Sequence, residues 1–90
     1  IDLFRADVPV ALAQLRDALQ NDDTLITAGR ISHRIKGSSA ILGAVPLAES
    51  LNAMEEACRR GERTTALQML PKLEEQIGTV IQALKREQHC

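Results

Sequence analysis

Apolar residues recur at steps of three and four along almost the whole chain, and that spacing commits it to helices. Phe4, Val8, Leu12, Leu15 and Leu19 form one stripe, and Leu25, Ala28, Ile31, Ile35 and Leu42 a second. Leu47, Leu51, Met54 and Cys58 make a third, and Leu70, Leu73, Ile77, Val80 and Leu84 a fourth. No segment alternates with period two over a useful length, so strands have no pattern to form from. Composition agrees. Phe4 is the only aromatic residue, and a core of Leu, Ile, Val, Ala and Met suits helix packing better than a sheet.

The breaks fall between the stripes. Asn21-Asp22-Asp23 offers turn and N-cap chemistry, Gly43-Ala44-Val45-Pro46 combines a glycine C-cap with a first-turn proline, and Gly61 stops the third segment. The reading predicts helices over about 3–20, 23–43, 46–60 and 63–86. Pro9 predicts either a short initial segment or a kink in the first helix; Pro71 predicts a kink in the fourth or marks the start of its main part. Ninety residues suffice for one modest core and not for two, so residues 1–90 are expected to be a single domain. Four amphipathic segments on short connections predict an all-α, antiparallel up-and-down four-helix bundle.

A net charge of −1 gives no general attraction to nucleic acid or to an anionic membrane, so neither is an expected partner. No apolar run approaches the roughly 20 residues that span a bilayer, and nothing resembles a signal peptide. The chain opens on Ile1 without an initiating Met, so it is expected to be a module cut from a longer protein, itself a candidate for membrane anchoring. Cys58 falls in the apolar stripe and reads as a small core residue; Cys90 is terminal, and a disulfide between them is not expected, which fits a reducing cytoplasm.

The outer face of the second helix departs from expectation. At about 100° per residue, His33 points roughly 160° away from the centre of that helix's apolar stripe. Around it on the same face lie Gly29, Gly37, Ala40 and Ala44, where a solvated helix normally carries Glu, Lys, Gln or Arg. Glycine inside a helix costs about 1 kcal/mol relative to Ala, so two on one face invite a reason. Access is one: without side chains there, another protein surface can approach the imidazole. Lys36 lies three residues on, along a neighbouring ridge. Arg30 and Arg34 make the surroundings more positive, which suits an acidic partner. No Asp or Glu stands beside His33 on its own helix, so this element offers no orienting base.

Plainer readings compete. A helical His with Lys at i+3 is usually a solvated pair, and a stripe of small residues serves equally as a helix–helix contact. Ser38 and Ser39 fall near the core side, where hydroxyls bond back to the preceding turn.

The segment from His33 through Lys36-Gly37-Ser38 to Leu42-Gly43-Ala44 resembles the signature of histidine-containing phosphotransfer (HPt) domains: a His, two variable residues, Lys-Gly-Ser, and a closing Leu-Gly-Ala. The likeness covers nearly the whole chain, with Leu15, Ala18 and Leu19 upstream and Pro46, Leu47, Ala48, Cys58 and Gly61 downstream. It implies His33 as phosphoacceptor through Nε2, Lys36 as charge compensation, and Gly37 as the gap that admits a partner. Gly29, Arg30, Arg34, Ser38, Ala40 and Ala44 are then the candidate partner-binding residues. The family's usual Ala before the His is Ser32 here, and its frequent Thr after it is Arg34, which puts receiver preference in question.

The resemblance further implies a monomeric phosphorelay carrier without a kinase site or cofactor of its own. It would serve receiver domains, in cis and in trans, that supply Mg²⁺, as the last module of a hybrid sensor histidine kinase. Phosphoryl transfer asks little of such a carrier beyond in-line positioning and charge neutralisation.

Other classes fit less well. The dimerisation domain of a histidine kinase would follow its His with an acidic residue and place Pro five positions on, where Arg34 and Ser38 stand. A pure interaction module for receivers would not need His33 and Lys36. A metal or hydrolytic bundle would need a Glu-x-x-His pattern, which is missing, and His89-Cys90 at the chain end is a weak substitute.

Overall fold

The computed structural model describes residues 2–21 and 25–88, with side chains described over 6–21 and 25–85. It is all-helical: α1 Asp2–Asn21, α2 Ile26–Ile41, α3 Val45–Arg59 and α4 Arg63–Gln88. Each helix packs on its neighbour in the chain and α4 closes against α1, giving the antiparallel up-and-down bundle the periodicity predicts. The bundle measures 45 × 20 × 19 Å along its principal axes.

The four stripes meet in one core. Val8, Leu15, Leu19, Leu25, Ile35, Leu47, Leu51, Met54, Leu73 and Ile77 are almost fully buried in it, while Leu12, Leu42 and Val80 pack at its edge. Phe4, expected at the head of the first stripe, lies outside the residues whose side chains are described, as does the His89-Cys90 pair. Polar contacts also link the helices. The Arg63 guanidinium donates to the Leu19 carbonyl, Arg16 pairs with Glu74, and Arg34 Nε lies 3.9 Å from Asp7 Oδ2.

Both prolines sit inside unbroken helices: α1 runs through Pro9 and α4 through Pro71. Neither residue splits its segment. Each removes one backbone donor, and the flanking turns keep the helix through the apolar face they bury.

The helix stops follow glycine chemistry. At the end of α2 the Gly43 N–H donates to Ala40 O (3.0 Å) and the Ala44 N–H to Ser39 O (2.9 Å). Gly43 itself has φ +76°. This is a Schellman cap. The same arrangement recurs at the end of α3, where Gly61 (φ +73°) donates to Cys58 O and Glu62 to Ala57 O.

The start of α2 differs from expectation. It begins at Ile26 rather than near residue 23, and its N-cap is Leu25 with φ +61° and no side-chain cap; Asp22 and Asp23 of the expected turn lie outside the described residues. A leucine in the left-handed region costs about 1–2 kcal/mol. Burial offsets it, because Leu25 is sunk into the core.

Candidate functional site

His33 sits in the middle of α2, and the helix rotation is set by Ala28, Ile31, Ile35 and Ser39 on the buried side. The imidazole therefore points away from the core, with its side chain 68% exposed. Its neighbour Ser32 is fully buried and donates to Ala28 O at 2.9 Å, so the polar residue before the histidine is absorbed by its own helix.

The imidazole is not free on its surface. His33 Nδ1 lies 3.0 Å from Oε2 of Glu55, on α3. The other oxygen, Oε1, accepts from Lys36 Nζ at 2.7 Å, and Lys36 also donates to Asn52 Oδ1 at 3.3 Å. One carboxylate thus links both residues of α2 to α3. Lys36 holds the Glu55 carboxyl below the usual range through its hydrogen bond and charge, helped by His33 and opposed by partial burial. An ionised carboxylate only accepts. Nδ1 must then carry the proton, and in the neutral ring the lone pair resides on Nε2, turned outward.

Glu55 is the residue that sequence reasoning missed. No acid stands beside His33 on α2; Glu55 stands 22 positions further on, on the neighbouring helix. A signal was present: Asn52 and Glu55 stand at i, i+3 on α3, with Glu55 at the margin of its buried residues. Which face of α3 meets His33 depends on the turn between the helices, which periodicity does not encode.

The clearing around the imidazole is narrower than expected. Gly37 is exposed, and a Cβ added there would meet nothing within 4 Å. Ala40 is exposed one turn further on. Gly29 is different: an added Cβ would lie 3.5 Å from Cys58 Cβ, so this glycine also serves the close approach of α2 to α3. Ala44 leaves the group altogether. The helix ends at Ile41 and the chain turns at Gly43, so helical projection no longer applies; Ala44 caps α3 and packs against the core.

Arg30 is exposed beside His33, on a groove of about 700 Å³ lined also by Ile26, Gly29, Cys58 and Arg59. Arg34 leans toward Asp7 on α1. Ser38 is half-buried with a long 3.4 Å contact to Arg34 O, whereas Ser39 is fully buried and donates to Ile35 O at 2.8 Å. Of the two serines expected to bond back near the core, Ser39 does so firmly. Burial pushes the Cys58 thiol up, with Arg63 opposing, so the surroundings of this groove-lining sulfur disfavour the thiolate. Among the described residues, no cluster of His, Cys, Asp and Glu is placed to hold a metal. No described helix is long and apolar enough to cross a membrane.

A helical bundle that raises a carboxylate-bonded imidazole on its surface, with an ammonium at one side and a glycine beside it, defines a histidine-presenting helical domain. The chain belongs to the Hpt domain family, whose pattern it matches over residues 1–87. No curated protein and no solved structure matches it. Membership assigns it to histidine phosphotransfer in two-component signalling: Hpt domains are phosphocarriers without kinase activity and interact with receiver domains.

Proposed function

We propose that His33 is the phosphoacceptor, and that it takes a phosphoryl group from a receiver aspartate and passes it to another. The observation that carries this reading is the 3.0 Å contact of Nδ1 with Glu55 on an exposed ring, which ties Nδ1 to the carboxylate and leaves Nε2 as the ring nitrogen without that partner. In the transfer, the Nε2 lone pair attacks phosphorus as the bond to the aspartyl oxygen breaks, and the leaving carboxylate keeps that electron pair. No proton has to move. The ring gains positive charge while its Nδ1–H stays on Glu55, whose carboxylate stabilises that charge. The Lys36 ammonium has three donors, of which Glu55 and Asn52 take two, leaving one for a phosphoryl oxygen. Gly37 admits the partner, and Arg30 adds positive charge on its approach.

In this reading the chain brings neither nucleotide nor metal, and the receiver contributes Mg²⁺ and the acidic pocket. The domain acts in the cytoplasm as a module of a longer signalling protein, with a hybrid sensor histidine kinase as the parent that suits it best.

Incubation with a phosphorylated receiver and Mg²⁺ tests it. Label should move to the wild-type chain as an acid-labile, base-stable adduct, and His33→Gln should take none. Equal labelling of His33→Gln would overturn the assignment.

A further inference from the structure

Lys36 is held by two residues of α3, and only one of them is charged. Glu55 Oε1 lies 2.7 Å from Nζ and Asn52 Oδ1 lies 3.3 Å from it. Asn52 is exposed on α3 one turn before Glu55, on the side away from the buried Leu51 and Met54. Its amide adds nothing to core burial, and a lysine reaching solvent needs no neutral acceptor to satisfy it. What the contact does is restrict where the ammonium sits.

We propose that Asn52 is a positioning residue for phosphoryl transfer: a neutral acceptor that keeps Lys36 beside His33 without consuming its charge. The inference rests on His33 as phosphoacceptor. With Glu55 ionised and Lys36 protonated, the two charges cancel, and the arriving phosphoryl group adds negative charge to the site. Lys36 must then turn one donor to that group. An amide oxygen competes weakly for the ammonium, because hydrogen bonds to charged acceptors are about twice as strong as those to neutral ones. A carboxylate at position 52 would bind Lys36 from a second side and repel the phosphoryl group as well. Without any acceptor there, Lys36 would hang from Glu55 alone and lose its fixed reach. Asn is thus the compromise between holding the ammonium and releasing it.

The bonds made and broken are those already described, between Nε2, phosphorus and the aspartyl oxygen. Asn52 touches none of them and acts only through Lys36.

The test compares Asn52→Asp, Asn52→Ala and a charge control, Ala53→Asp, an exposed position on the same helix turned away from Lys36. Transfer from a phosphorylated receiver with Mg²⁺ is followed by rapid quench over a range of receiver concentrations. Asn52→Asp should lower the limiting rate about three- to tenfold, as expected for a charge added within a few ångströms of a partly solvated site. Half-saturation by receiver should stay within about twofold, since docking is unchanged. Asn52→Ala should fall between wild type and Asn52→Asp, Ala53→Asp should match the wild-type rate, and melting should move only by helix propensity, slightly up for Asn52→Ala and slightly down for Ala53→Asp.

A merely structural role would move melting well beyond those propensity shifts and would not split limiting rate from half-saturation. Wild-type rates in both Asn52 variants, or equal slowing by Ala53→Asp, would overturn the assignment while leaving His33 in place. Absence of label on wild type itself would remove the phosphoacceptor reading, and this one with it.

Discussion

Two glycines and one carboxylate illustrate how single residues divide labour here. Gly37 lies within a helix, exposed, with open space where a side chain would grow. Gly37→Ala should therefore raise stability by about 0.5–1 kcal/mol, the helix-propensity difference. Gly37→Leu should leave the fold intact while slowing transfer, because the added bulk stands where a partner approaches. Chemical denaturation and a transfer assay check the two together, and unchanged transfer in Gly37→Leu would refute the access role. Gly29 carries a mixed role that the sequence pattern could not separate, since only the position of Cys58 shows what its missing side chain meets.

Glu55 has a pH signature. Its carboxyl is held below the usual range when folded, mainly by Lys36, so the unfolded chain binds its proton more readily. The resulting stability is fully present above the unfolded value, near pH 4, and is lost as pH falls through the lower folded value. Wild type should exceed Glu55→Gln by up to about 1 kcal/mol at pH 7, the range for partly exposed pairs. That gap should shrink as pH falls through the lowered folded value. Urea unfolding at pH 7 and stepwise into acid measures it, and a gap that did not shrink in acid would show that Lys36 and Glu55 are not the cause.

At the scale of elements, the helices were readable because their signals are local. Apolar steps of three and four lie within one element, and Gly43 and Gly61 announce their own left-handed turns. Observed helix limits lie within two residues of those expected, except at the start of α2, where Leu25 caps without a polar side chain. That cap was illegible because it depends on burial of Leu25, not on cap chemistry. The same glycine change has opposite signs in different elements. Gly43→Ala should destabilise by about 1–2 kcal/mol, since at φ +76° a Cβ is strained and, unlike Leu25, the exposed position 43 has no burial to offset it. Thermal melts of Gly37→Ala and Gly43→Ala should shift in opposite directions; parallel shifts would contradict the backbone argument.

At the scale of the molecule, the site occupies one side of the bundle while the core is common to all four helices. His33 and Lys36 come from α2, Asn52 and Glu55 from α3, and the direct contacts among them involve no residue of α1 or α4. Those two helices act by burying the inner faces of α2 and α3 and so fixing the rotation that turns His33 outward. This separates stability from transfer. Leu73 is almost fully buried on α4, so Leu73→Ala should cost about 2–5 kcal/mol through lost burial and the cavity left behind. The rate of transfer per folded molecule should nevertheless remain within about twofold of wild type below the melting range, because the α2–α3 pair keeps its own hydrogen bonds. Glu55→Gln should behave in the opposite way, with a small change in stability and a larger change in rate. Measuring unfolding free energy and limiting transfer rate for both variants places them on perpendicular axes. A Leu73→Ala protein that stays folded yet transfers tenfold more slowly would mean that the far helices tune the histidine directly, and the bundle could not then be divided into scaffold and site.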